Sequence, residues 1–198
     1  MKKALFLILI SLFCINFYNE VLADSIPSPY HYKNVTGDGR YVFVMIVDDL
    51  PFDRPSSSTG KRYPVSGLYH NDGSISPIWK IDWYAFEVYV STDGRHIARI
   101  GDWPNLKDKG EPNLEDLALA FYGDGKLIKQ YLISDLVRNS DRLPRSLSHF
   151  YWKKNIVFDD AHDRLNIVTF DEQKYIFDVK SGEIIRETKK RTNRLKQR

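Results

Sequence analysis

Apolar and polar residues alternate along most of this chain, and Gly, Asp and Asn stand where the alternation stops. A period of two is typical of half-buried β-strands, and the Asp-Gly and Ser-Gly steps between them favour hairpins. The run YVFVMIV at 41–47 is apolar almost throughout, as expected for a strand buried on both faces. Further strands are predicted at 86–90, 95–101, 117–122, 126–133, 164–170 and 174–179. The pattern therefore predicts an all-β fold.

Two elements of this pattern recur. A turn followed by a strand is found at 36–46, at 91–101 and, in degenerate form, at 159–170. A later hairpin turn, marked by a glycine, follows at 69–79, 121–133 and 177–187. A repeat of roughly 50 residues is typical of blade-like β repeats. We therefore expect a β-repeat domain at 24–187 made of three tandem antiparallel units, about 34–83, 86–137 and 150–187.

Two stretches resemble known repeats. STDGRHIA at 91–98 resembles the SxDGxxxA turn and strand of β-propeller repeats. LNIVTFDEQKYIFDVKSGEII at 165–185 is similar to the last three strands of a WD- or quinoprotein-type blade. The resemblance implies a propeller-like fold and no particular activity. Because closed propellers usually have four or more blades, three units would form a partial propeller, a curved stack of sheets or half of an assembly.

Long polar connections interrupt two of the units. Residues 48–64, rich in Pro, Ser and Gly, lie within unit one, and 101–116 occupy the equivalent place in unit two, where unit three has only 171–173. Loops of such length are often functional. We expect 48–64 and 101–116 to form a ligand face, with the segment 139–152 as the next candidate. A helical turn is predicted just before that segment, with Ser134 as its candidate cap.

The first residues have the pattern of an export signal. Lys2 and Lys3 precede an apolar run at 4–13, and small or aliphatic residues lead up to Ala23. This describes a secretory signal peptide at 1–23, cut after Ala23, and predicts a periplasmic or secreted protein. The apolar run is shorter than the roughly 20 residues of a membrane span, so no transmembrane segment is expected after processing. The single cysteine, Cys14, lies in the leader, and a mature chain without disulfides points to a bacterial exported protein.

Charge is distributed unevenly along the chain. The net charge is +3, yet residues 187–198 alone hold six Lys and Arg against one acid. The body before them is mildly acidic, so no basic face on the domain is indicated. We expect 188–198 to be a flexible basic tail whose partner, if it has one, is a weakly held polyanion. An acidic exported body without interleaved aromatic and basic residues predicts no binding of nucleic acid.

No motif assigns a reaction. The stretch FDDAHDR at 158–164 brings acids and a histidine together, but without the spacing of a calcium loop it predicts a solvated turn. The sequence contains neither a His-x-x-x-His pair nor a Gly-x-Ser-x-Gly elbow. We therefore predict no metal, no cofactor and no catalytic residue.

The sequence favours an exported binding or scaffold module, with a protein or polysaccharide of the cell envelope as its partner. Trp103 lies in a Pro-containing loop and is assigned to surface contact, whereas Trp79, Trp83 and Trp152 are expected in the core between units. The candidate ligand-binding residues are Trp103, Asp102, Asp48, Arg145 and His149.

Two other classes of function stay open. One is a small glycan-active hydrolase with loop carboxylates such as Asp48, Asp102 or Asp116, since glycan cleavage needs two carboxyl groups about 5–10 Å apart. The other is a structural envelope protein whose basic tail touches a polyanion. Carboxylates around one concavity would favour the hydrolase, and an aromatic-lined patch would favour the binding module.

Overall fold

The computed structural model of the protein describes residues 26–47 and 62–188. Their strands form three antiparallel four-stranded sheets, each made of strands that are consecutive in the chain. The expected all-β fold of three tandem units is confirmed, and the arrangement is propeller-like.

Each sheet corresponds to one predicted unit. Sheet one contains β1 (Tyr32–Val35), β2 (Tyr41–Met45), β3 (Gly67–His70) and β4 (Trp79–Lys80). Sheet two contains β5 (Val88–Val90), β6 (His96–Ile100), β7 (Leu117–Gly123) and β8 (Lys126–Leu132). Sheet three contains β9 (Lys153–Asp159), β10 (Arg164–Thr169), β11 (Lys174–Asp178) and β12 (Ile184–Thr188). The stretch that resembles the last three strands of a blade forms β10, β11 and β12.

The first strands of the three sheets lie next to one another. The hydroxyl of Tyr32, on β1, donates to the carbonyl of Ala85 over 2.7 Å, and the amide of Asn34 donates to the carbonyl of Val88 over 3.1 Å. The rings of Tyr89, on β5, and Phe158, on β9, are 5.5 Å apart. Among the described strands, hydrogen-bonded pairing stays within each sheet, so these side-chain contacts hold the inner edges of the units together.

The core lies between the sheets. Phe43, Met45, Leu68 and Trp79 of sheet one pack against Val88, Val90 and Ile97 of sheet two. β2 is buried on both faces, as its apolar run predicted, because Val42 and Val44 pack outward against Tyr63 and Tyr69. Trp79 is buried here as expected, whereas Trp83 is half-buried at the margin.

A second core joins sheets two and three. Every second residue of β10 and β11 is buried, including Leu165, Ile167, Tyr175 and Phe177. These side chains meet Ile100, Leu119, Phe121 and Tyr131 of sheet two, with Trp152 also in the cluster. The alternation that predicted β10 and β11 therefore reflects the one buried face of sheet three.

The outward face of sheet three differs in composition from its inward face. On the outward face of sheet three, Val157 pairs with Asn166, Asn166 with Ile176, and Ile176 with Arg186, so that polar and apolar residues alternate across the sheet. The inward row beside it, from Phe158 through Leu165 and Phe177 to Ile184, is apolar. A mixed outer face is typical of a terminal repeat.

Hydroxyl–carboxylate pairs shape the turns. Before β2, Thr36 donates its hydroxyl to Asp38 and accepts the amide hydrogen of Tyr41. Before β6, Ser91 makes the same two contacts with Asp93 and His96. In sheet three this chemistry lies one hairpin later, between β10 and β11, where Thr169 donates to Asp171 and accepts from Gln173. The degenerate third copy, at 160–163, still forms the first hairpin turn of its sheet.

Helical structure is sparse. The predicted helical turn is present as α1 (Ile133–Leu136), and single 3-10 turns lie at Asp108–Gly110 and Ser140–Arg142. Ser134 is not the cap of α1, because Asp135 accepts the amide hydrogen of Leu132 instead. Within residues 26–47 and 62–188, no helix has the length and apolar character needed to span a bilayer.

Candidate functional site

Two connections meet beside the inner edge of the stack. The loop after β6 pairs with the segment before β9 through an antiparallel bridge between Asn105 and His149. The amide of Phe150 also donates to the carbonyl of Pro104 over 3.3 Å. The structure therefore brings the start of 101–116 and the end of 139–152 together.

The cavity between these connections has a volume of about 250 Å³. Pro27 and three short stretches contribute to its wall: the residues just before β5, the start of the loop after β6, and the residues at the start of β9. The lining residues are Pro27, Phe86, Glu87, Gly101, Asp102, Trp103, Pro104, His149, Phe150, Tyr151, Trp152 and Lys153. We call this cavity the aromatic pocket.

Aromatic rings dominate the wall of this pocket. The ring centroids of Trp103 and His149 are 3.7 Å apart, and Tyr151 meets His149 edge-on at 4.6 Å. His149 is buried, Trp103 is half-buried, and Tyr151 is 47% exposed. The pocket thus has buried rings at its base and partly exposed rings at its opening.

The ring of His149 is held by a local turn. The Oγ of Ser146 lies 2.6 Å from Nδ1 of His149, accepts the backbone N–H of the same residue at 3.1 Å and lies 3.0 Å from its carbonyl oxygen. One hydroxyl therefore fixes both the backbone and the ring of His149. This contact positions the ring against Trp103.

Asp102 is the first acidic group of the pocket. Its Oδ1 accepts the amide hydrogen of Phe86 at 3.0 Å, and its Oδ2 lies 3.9 Å from the guanidinium of Arg99. Burial raises the pKa of the Asp102 carboxyl above its ordinary value, although the Phe86 hydrogen bond and Arg99 act in the opposite direction. Arg99 itself lies over the ring of Trp83, 4.7 Å from its centroid.

Glu87 is the second acidic group, and it has two partners. The ammonium of Lys153 forms an ion pair with one carboxylate oxygen. The hydroxyl of Tyr89 donates to the other over 2.5 Å. Burial and the neighbouring carboxylate raise the pKa of the Tyr89 phenol, so that it stays a hydrogen-bond donor. Each acid at the pocket therefore has a cation nearby.

The predicted site residues separate into three groups. Trp103, Asp102 and His149 come together in the aromatic pocket. Arg145 is exposed and donates to the carbonyl of Gly110 over 3.2 Å, so it braces the loop rather than lining the cavity. Asp48 lies outside the described residues, as does most of the predicted ligand-face segment 48–64.

Sequence reasoning missed several residues of the pocket, chiefly Phe86, Glu87 and Lys153. Phe86 and Glu87 directly precede β5, while Tyr151 and Lys153 flank Trp152 at the start of β9. An aromatic residue followed by a charged one therefore stands at the entry to both inner strands. Aligning the units at their first strands would have shown this signal.

The acidic stretch at 159–163 does not converge on one point. Asp159 lies 2.8 Å from His162, Asp163 accepts from the backbone of Thr92, and Asp160 packs against Gly37. Within the described part of the chain, no three acidic, histidine or cysteine side chains are grouped so as to hold a metal ion.

Two other cavities are larger and less aromatic. One of about 530 Å³ lies between β1, β5 and β9, where Asn34 is bonded to Val88 and Thr36 to Asp38. One of about 480 Å³ is lined by residues near Ser66 and Trp83, and the hydroxyl of Ser66 accepts the amide hydrogen of Ile46. Local bonds thus occupy polar side chains in both.

Comparison with protein-family models, with curated proteins and with solved structures finds no match for this chain. The aromatic pocket therefore has to be interpreted from its own geometry.

Proposed function

We propose that this protein is an exported binding module whose ligand occupies the aromatic pocket. The observation that carries the proposal is that Trp103 and Tyr151 line one cavity together with two carboxylates, Asp102 and Glu87, from three separate stretches of chain. A mostly apolar concavity with a few fixed polar groups is the usual form of a small-ligand site. Of the predicted ligand face, the start of 101–116 and the end of 139–152 line this pocket, while most of 48–64 lies outside the described residues.

The binding proposal is tested without knowing the ligand. A library of small neutral, cationic and anionic compounds is screened by ligand-observed NMR against the wild type. Tyr151→Ala removes a half-exposed ring that lines the pocket, whereas Leu147→Ala removes an exposed side chain, 75% accessible, that does not. We expect compounds that bind the wild type and L147A but not Y151A. If no bound compound depends on Tyr151, the pocket is not the binding site.

The export part of the proposal rests on the leader at 1–23. Mass spectrometry of the protein from cells that express the full chain tests it. The expected first residue is Asp24, and recovery of the intact leader in the cytoplasmic fraction would contradict export.

A polyanion contact of the tail at 188–198 is tested by comparing heparin retention of the full chain with that of a chain ending at Glu187.

A second function is favoured by one observation. Asp102 and Glu87 line the same cavity, and burial raises the pKa of Asp102, which is the direction needed for a general acid. A small glycan hydrolase would use Asp102 as the acid and Glu87 as the second carboxylate. The test of this function is the release of reducing ends from neutral oligosaccharides by the wild type. A hydrolase of this kind should lose that activity in both D102N and E87Q. Binding without release identifies a binding module.

A further inference from the structure

We infer that the ligand class of the aromatic pocket is a neutral pyranose ring that packs on Trp103 and donates hydroxyl hydrogen bonds to Asp102 and Glu87. This inference rests on the proposed function, because it names the ligand of the same pocket. Charge, ring packing, acceptor capacity and volume each support it.

The charges of the pocket are already balanced. Glu87 is paired with Lys153, and Asp102 lies 3.9 Å from Arg99. A cationic or anionic ligand would leave one charge without a partner in a partly desolvated site, which is costly. A neutral ligand leaves both pairs intact.

The aromatic side chains favour a ligand with an apolar ring face. Phe86 and Trp103 are half-buried, and Tyr151 is 47% exposed, so each can still cover surface on a ligand. Large, stiff aromatic rings bury much apolar area and lose little conformational entropy on binding. The C–H face of a pyranose supplies such a surface.

The two carboxylates add acceptors at the edge of these rings. A carboxylate has about four acceptor sites, while Asp102 accepts one hydrogen bond, from the backbone of Phe86. Glu87 accepts from Tyr89 and Lys153 and keeps further lone pairs. Hydroxyl groups of a ligand can donate to the remaining acceptor sites of both carboxylates without adding charge. Lys153 can donate to a sugar oxygen.

The volume limits the ligand to about one ring. Pockets for drug-sized ligands usually measure about 300–1,000 Å³, and this one measures about 250 Å³. One pyranose residue therefore occupies the pocket, either as a free sugar or as one residue of a glycan.

Isothermal titration of the purified protein distinguishes the ligand classes. The probes are neutral monosaccharides, the matching tetrasaccharides, sodium glucuronate, tetramethylammonium chloride and indole. We expect a neutral sugar to bind the wild type and L147A alike. Affinity for the same sugar should fall about tenfold in W103A, as for loss of a central aromatic anchor, and recover in part in W103F. Tighter binding of the tetrasaccharide identifies a glycan, and equal binding a free sugar.

The outcomes separate this inference from the proposed function. Binding of tetramethylammonium, glucuronate or indole alone, lost in W103A, overturns the sugar and keeps the pocket as the binding site. Binding that is as tight in W103A and Y151A as in the wild type overturns both. The absence of any bound probe overturns the sugar, and the compound screen with Y151A then decides the proposed function. Thermal unfolding of each variant confirms that a loss of binding is not a loss of fold.

Discussion

The backbone N–H of Thr92 donates to the carboxylate of Asp163 over 3.0 Å, although 71 positions separate the two residues. Thr92 lies in the first turn of sheet two and Asp163 in that of sheet three. The carbonyl of Thr92 in turn accepts from Arg40, in the first turn of sheet one. Equivalent turns of the three units are thus joined through one residue, Thr92.

Asp163→Ala is expected to lower the free energy of unfolding by about 2 kcal/mol. Asp163 is only 5% exposed, its carboxylate also pairs with Lys180 at 2.9 Å, and its backbone is left-handed, with φ of 52°. Asp163→Asn should cost less, because asparagine can still accept from Thr92 and tolerates that φ. Urea unfolding measures both. Asp159→Ala, an acid of the same turn, serves as control, and an equal loss there would contradict the role of Asp163.

Asp171 supports the join between sheets two and three. Its carboxylate accepts the hydroxyl of Thr169 and the backbone N–H groups of Arg138 and Asn139, at 2.7 and 3.0 Å for the two amides. Since the side chain is buried, Asp171→Ala leaves three donors unsatisfied and is expected to cost about 3 kcal/mol.

Thermal and urea unfolding of D171A test this expectation, and the chain offers a matched control. Asp38 occupies the same place in a hydroxyl–carboxylate turn, but its side chain is exposed at the edge of the stack. D38A should therefore destabilise the protein less than D171A. A larger loss of stability in D38A than in D171A would show that burial of the carboxylate does not determine how much this kind of turn stabilises the protein.

A methyl group added at Gly94 tests the contact between sheets one and two. Gly94 has φ of +67°, and a Cβ there would lie 2.7 Å from the ring of Tyr41. Gly39 is the equivalent residue of unit one, has φ of +74°, and has open space around it. Both substitutions carry the backbone cost of a left-handed alanine, about 1 kcal/mol.

The loss of unfolding free energy should be larger for Gly94→Ala than for Gly39→Ala, because only Gly94→Ala displaces Tyr41. The difference between the two losses measures the cost of that displacement. Equal losses would mean that Tyr41 moves away freely. In that case the ring of Tyr41 does not help to fix the position of sheet one against sheet two.

The strands of the sheets were predictable where their chemistry is local. Alternation predicted β10 and β11, because every second residue of each is buried against sheet two. The sequence also predicted β6 and β7, which are buried on both faces because sheet two lies between sheets one and three. The inner strands β1 and β9 were missed, since Tyr32–Val35 and Lys153–Asp159 are short or rich in polar residues and remain half-exposed. Both lie in the outer sheets of the stack, whereas the inner strand of the middle sheet, β5, buries Val88 and Val90 and was predicted.

The pocket was predictable only in part. Trp103 and Asp102 follow β6 directly and stand out in a Pro-containing loop, so the sequence indicated them. Phe86, Glu87 and Lys153 join them because β5 and β9 are neighbours in space, which no local pattern records. The third hydroxyl–carboxylate turn, at Thr169, was not predicted for a similar reason. It lies one hairpin later than in the other two sheets, and the sequence repeat does not show this shift.

Asp102 and Asp38 should give stability opposite dependences on pH. Burial raises the pKa of Asp102, so the folded state holds its proton more tightly than the unfolded state. Its contribution to stability therefore decreases as pH rises from the ordinary carboxyl value through the raised one. The hydroxyl of Thr36 and the backbone of Arg40 lower the pKa of Asp38 to about 2, so its contribution is present at neutral pH and is lost as pH falls through that value.

Asp102→Asn mimics the protonated acid and should raise the unfolding free energy at pH 7, a gain that disappears as pH falls through the raised pKa towards the ordinary carboxyl value. Asp38→Asn should instead destabilise the protein at pH 7, and its effect should shrink between pH 4 and pH 2. Urea unfolding of the two variants across this range gives both curves beside the wild type. A loss of stability in D102N at pH 7 would show that the attraction between Asp102 and Arg99 outweighs the cost of burial, and the pocket would then favour the ionised carboxylate.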